Sequence, residues 1–87
     1  MDFYTWMMTK YLGQDSPRGR LAENMARWAG KKPEIKTISS FGGLVDLTDS
    51  KTPKRFIPLD GEAFKAIDEA LWIEFCTDTG HPIEPQK

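Results

Sequence analysis

The tripeptide Asp15-Ser16-Pro17 constrains this chain more than any other stretch of it. Ser is a favoured N-cap, because its hydroxyl accepts a hydrogen bond from the opening helical turn. Pro17 then takes the first helical position, where a missing N–H costs nothing and φ is already helical. A helix is predicted from Pro17 to about Ala29, closed by Gly30. Leu21, Ala22, Met25, Trp28 and Ala29 form its buried stripe, with Ala26 beside it. Gly19 lowers helix propensity by about 1 kcal/mol relative to Ala. Close approach of another helix would explain that cost. Glu23 and Arg27 stand four apart and are expected to pair on the surface.

A second helical pattern precedes this one. Phe3, Trp6, Met7 and Tyr11, with Met8 and Leu12 nearby, make a wide apolar face over roughly 3–12, with Asp2 as N-cap and Gly13 as the stop. A third runs over 61–76, capped by Asp60. Phe64, Ile67, Leu71 and Phe75 fall on one face there, joined by Ala63, Ala70 and Trp72. The middle, 31–59, is less legible. Ile38, Phe41 and Leu44 at spacing three suit a short helix or 3-10 turn, while Gly42-Gly43 suits a hairpin between strands at 35–38 and 44–47. A polar loop over 49–55 follows, and Phe56-Ile57-Pro58-Leu59 returns to the core as an extended segment. The fold class expected is mainly α, a small helical bundle with an irregular or short β-hairpin middle. One domain should span 1–80, with a frayed tail over 81–87.

Size sharpens that expectation. At 87 residues the chain has room for one domain and a thin core, which three Trp, five Phe, two Tyr and four Met must supply. A cavity for a cofactor would compete with that core, so no cofactor is expected. A lone cysteine, Cys76, can neither form an internal disulfide nor anchor zinc, and fits a reducing compartment. Met1-Asp2-Phe3-Tyr4 lacks the features of a signal peptide, and no apolar run approaches the roughly 18 residues of a membrane span. The expected setting is cytoplasmic.

The residues Phe3-Tyr4-Thr5-Trp6-Met7-Met8, followed by Asp15-Ser16-Pro17-Arg18-Gly19-Arg20-Leu21-Ala22, resemble the opening of the YozE-type sterile-alpha-motif-like proteins. That family's pattern is roughly F-x-x-W-L/M, a short spacer, then D-S-P-x-G-D-L-A. The run from Ala63-Phe64-Lys65 to Ala70-Leu71-Trp72 resembles its C-terminal helix more weakly. Arg20 departs from the family's Asp, and the middle segment is longer than the family's. The resemblance implies a compact SAM-like helical bundle without an assigned activity, often encoded by Gram-positive bacteria and their mobile elements.

Catalysis needs a positioned base, nucleophile or metal. His81 precedes Pro82 in the expected tail, Cys76 reads as a core thiol, and no carboxylate pair resembles an acid–base dyad. No enzyme is expected. Charge points instead to binding. Residues 10–36 carry a net +4 and residues 56–87 a net −5, although the chain as a whole is at −1. Such polarity can steer a partner or balance across the fold. Arg20, Arg27 and Lys31 recur on one face of the second helix, with Arg18 before them and Lys32 after. Lys51, Lys54 and Arg55 in the 49–55 loop extend that surface. These eight residues form the candidate partner-binding site. A protein is the expected partner, anchored on Trp28 or Trp72, with self-association as a variant. Nucleic acid, held through the same basic groups, is the alternative.

Overall fold

Each α-helix among the described residues starts with a side chain that accepts a hydrogen bond from the backbone three residues on. The computed structural model describes residues 1–82. Among them are five α-helices and two 3-10 turns, with no strand. The α-helices are α1 (Phe3–Lys10), α2 (Pro17–Trp28), α3 (Phe41–Val45), α4 (Gly61–Ala66) and α5 (Glu69–Thr79). The 3-10 turns are Pro33–Thr37 and Asp46–Thr48. Asp2 accepts from Thr5 at 2.7 Å, Ser16 from Gly19 at 3.1 Å and Ser40 from Gly43 at 3.0 Å. Asp60 accepts from Ala63 and Asp68 from Leu71, both at 2.8 Å. Each such cap contributes about 1 kcal/mol. Short helices need them, because a one- or two-turn helix is marginal by itself.

Three predictions about the elements are corrected here. No hairpin forms in the middle. Neither Gly42 nor Gly43 has the positive φ that a tight hairpin turn demands, and both lie inside α3 behind the Ser40 cap. The single helix expected over 61–76 is two helices. Ile67 is extended (φ −82°, ψ 99°), and Asp68 spends its carboxylate capping α5 rather than pointing from a continuous helix. That break turns α4 so that Ala63 and Ala66 face inward while Phe64, expected in the core, is 58% exposed. Finally, Gly19 is approached by backbone of the α1–α2 loop rather than by a helix. A Cβ there would stand 2.0 Å from the Gln14 carbonyl oxygen.

The core forms where α1 meets α5. Phe3 is fully buried, and its ring lies 5.8 Å from Trp6, 5.4 Å from Trp72 and 5.3 Å from Phe75, the last edge-on. Trp6 and Phe75 are themselves 5.5 Å apart, and Trp72 and Phe75 5.0 Å. Aromatic pairs in these geometries contribute about 0.5–1.5 kcal/mol each beyond the area they bury. The Trp72 indole N–H is enclosed without an acceptor among the described residues. Leu21, Ala22 and Met25 of α2 close the next layer, and α4 packs along α2 through its two buried alanines. Ile35, Ile38, Leu44, Leu47 and Ile57 bring the middle segment into the same core. The Ile57 N–H donates to the Leu47 carbonyl at 3.1 Å, which anchors the extended 56–60 segment.

Residues 83–87 of the expected tail lie outside the described residues. His81 meets Trp72 edge-on at 5.6 Å and Phe75 at a tilt at 5.2 Å, and its Nε2 is 3.0 Å from the Ser39 carbonyl oxygen. No helix among the described residues is long and apolar enough to cross a membrane.

The Gly19 contact yields a direct check. Gly19→Ala should lower stability by about 1–3 kcal/mol through overpacking, although alanine is the better helix former. Gly30→Ala, where a Cβ meets nothing within 4 Å, serves as the control. Thermal melts of both variants decide it; a Gly19→Ala protein as stable as wild type would refute the close approach.

Candidate functional site

The eight basic residues predicted to form one partner surface divide into two groups. All four arginines are held by carboxylates of the protein itself. Arg18, on the first turn of α2, donates to the Tyr11 hydroxyl at 2.8 Å and to Glu74 at 3.0 Å. The Tyr11 hydroxyl also donates to the other oxygen of Glu74. Arg20 pairs with Asp60 at 2.8 Å, across the N-terminal ends of α2 and α4. Arg27 pairs with Glu23 at 3.4 Å, the surface pair expected from their spacing. Arg55 reaches Asp46 at 3.1 Å and Thr37 at 3.2 Å, and bonds the Glu34 carbonyl at 3.4 Å. The guanidinium groups of Arg18, Arg20 and Arg55 tie elements together, while that of Arg27 stays within α2.

The lysines behave differently. Among the described residues no carboxylate lies in ion-pair contact with Lys31, Lys32, Lys51 or Lys54. Lys31, Lys32 and Lys54 line one groove with Pro33, Glu34 and Pro53, at the junction of the α2 C-terminus and the 49–55 loop. Lys51 is exposed and does not line it. The Lys31 and Lys32 ammonium groups sit 5.4 and 5.8 Å from the centre of the Trp28 ring. Lys32 also lies 5.6 Å from the Phe56 ring and donates to the Phe56 carbonyl. Cation–π contacts of this kind contribute about 0.5–1 kcal/mol at exposed positions. Trp28 is half-buried, and the two lysines over its ring line the groove. Trp72, the other expected anchor, is 3% exposed and is spent in the core.

Pattern reading does not find two aromatic residues, Phe56 and Phe64, that line a second, apolar cleft. Phe56 was assigned to a segment returning to the core, and Phe64 to the buried stripe of its helix. The signal available in the sequence was Asp68, a strong N-cap residue seven positions after Gly61, which argues against a continuous helix. Cys76 is buried in α5, and neither it nor His81 lines the principal surface clefts. No group of three His, Cys, Asp or Glu among the described residues is arranged to hold a metal ion.

Glu74 and Asp60, which hold Arg18 and Arg20, and Asp78, which holds Lys10, are themselves perturbed. Burial pushes the Glu74 carboxyl up, but the Tyr11 hydroxyl, Arg18 and Lys10 outweigh it and leave its pKa below the ordinary value. The Lys10 ammonium, 2.6 Å away, and the Trp6 indole N–H hold Asp78 below its usual range. For Asp60 the Ala63 N–H acts first and Arg20 second, again downward. A carboxyl whose pKa is lower when folded stabilises the fold above its unfolded pKa, near pH 4, and loses that contribution as pH falls through the folded value. Melting temperature should therefore drop as pH is taken below about 4. Glu74→Gln should lower it at pH 7 and flatten the acid limb. An acid limb as steep in the variant as in wild type would exclude Glu74 as a contributor.

No model of a known protein family matches this chain, and neither a curated protein nor a solved structure does so.

Proposed function

We propose that this protein is a non-catalytic protein-binding module that receives its partner at the lysine-lined groove beside Trp28. One observation carries the reading: every arginine is engaged by a carboxylate within the fold, while a half-buried tryptophan stands at the surface between ammonium groups. Tryptophan in a partly desolvated setting is the commonest kind of interface anchor. Binding to phosphate backbones relies on many unpaired cations. Here four of the eight expected cations are already neutralised, and the protein is net −1. The remaining ammonium groups would also suit phosphates, so nucleic acid stays the competing reading.

The positions that carry the resemblance to YozE-type proteins have physical work in this chain. Phe3 and Trp6 sit in the aromatic core, Ser16 caps α2, and Gly19 admits the Gln14 backbone. The resemblance itself, rather than these contacts, is what proposes a SAM-like arrangement and an origin in bacteria or their mobile elements.

A photo-crosslinking residue placed at Lys31 should give a discrete protein adduct in cells, and Lys31→Glu/Lys54→Glu should abolish binding of the partner so identified. Mobility-shift assays at low salt with duplex DNA, single-stranded DNA and RNA should show no complex. A shift that weakens steeply with salt, together with no protein adduct, would replace this reading with nucleic-acid binding.

A further inference from the structure

A separate apolar strip touches the lysine groove through the contact of Lys32 with Phe56. Phe56, Ile57, Pro58, Leu59 and Phe64, with Thr48, line one open cleft. Phe56 ties the cleft to the groove, since the groove residue Lys32 lies against its ring and donates to its carbonyl oxygen. The segment runs back along α2: Phe56 lies at Lys32, and Asp60 lies at Arg20. Ammonium groups thus stand at one end of the strip and the exposed Phe64 ring at the other. Isolated apolar side chains on a surface need no explanation. Several around one cleft, with a single hydroxyl among them, do. The helix break at Ile67–Asp68 is what presents Phe64 there.

The charge beside the strip decides what fits it. Three ammonium groups face one carboxylate, Glu34, in the groove. A ligand carrying negative charge at one end and a large apolar side chain at the other would satisfy both surfaces together. Desolvating the strip supplies affinity, and the lysines set orientation and polarity.

We infer that the partner docks through an acidic segment followed by a large apolar side chain, its carboxylates on Lys31, Lys32 and Lys54 and its apolar group on Phe56 and Phe64. This inference rests on the protein-binding reading and specifies the chemistry of the partner.

A displayed library of random 16-residue peptides, selected on the intact protein, tests it. Selected sequences should combine Asp or Glu with Phe, Leu or Trp. The best peptide, labelled and followed by fluorescence polarisation, should bind Phe64→Ser about tenfold more weakly than wild type, as loss of a buried aromatic contact predicts. Lys31→Glu/Lys54→Glu should weaken it at least as much. Phe64 is largely exposed, so Phe64→Ser should keep the wild-type melting temperature, which separates lost contact from lost fold. Enrichment of acidic peptides that bind Phe64→Ser as well as wild type would overturn the inference and leave the protein-binding reading intact. No enriched peptide, with an oligonucleotide bound instead, would remove both. Concentration-dependent self-association abolished by Phe64→Ser would assign the strip to a second copy of the chain and also overturn it.

Discussion

The contacts of Phe3 join the two ends of this protein. Its ring meets Trp6 of its own helix and both Trp72 and Phe75 of α5, so the first ordered helix and the last share one aromatic cluster. In a chain this short, little else is available to do so: the other helices are brief, and the middle contributes single aliphatic side chains from turns. With α1 and α5 joined, the polar rim of the cluster becomes possible. Trp6 reaches Asp78, Tyr11 reaches Glu74, and Lys10 and Arg18 close the set from α1 and α2. These bonds lie at the edge of the aromatic cluster; partial burial strengthens those among Tyr11, Arg18 and Glu74 relative to exposed ion pairs such as Lys10 with Asp78.

That rim also settles the meaning of the charge asymmetry along the chain. The basic region 10–36 and the acidic region 56–87 do not form two separate poles. Lys10 and Arg18 pair with Glu74, Lys10 with Asp78, and Arg20 with Asp60, each a bond between the two regions. Much of the apparent polarity is consumed as internal ties. What remains at the surface includes a local excess at Lys31, Lys32 and Lys54, smaller than the linear pattern implied. Arginine and lysine part company here for a chemical reason. The planar guanidinium can bridge several acceptors at once, as Arg18 and Arg55 do, and so is well suited to cross-linking elements. Lys31 and Lys32, with single flexible ammonium groups, lie instead over the Trp28 ring, and Lys54 joins them along the groove.

Much of the helical framework was readable in advance because its signals are local. A cap side chain acts within three residues, and Pro17 and Gly13 act within their own turns, so α1 and α2 emerged close to their predicted limits. The same logic, applied to Asp68, would have divided α4 from α5. Periodicity concealed it, since Phe64, Ile67, Leu71 and Phe75 still fall at helical spacing when the helix is interrupted. In the middle segment, glycine pairs are compatible with helix and turn alike. Ser40 tips the balance, but only in a chain already folded around Leu44 and Leu47.

Local chemistry in the sequence therefore determined where helices begin, that the chain is mainly helical, and which side chains of α1 and α2 form the interior. Tertiary structure alone decided which charges are spent and which remain. An ion pair such as Arg18 with Glu74 joins residues 56 positions apart, and no local pattern encodes it. It alone also decided that Phe64 faces outward and Trp72 inward, because the direction of a side chain on a short helix is set by the neighbour the helix packs against. The candidate site was legible as a set of cations and illegible as a surface for that reason. Its shape depends on an extended segment laid along α2, and that placement is a property of the packed core.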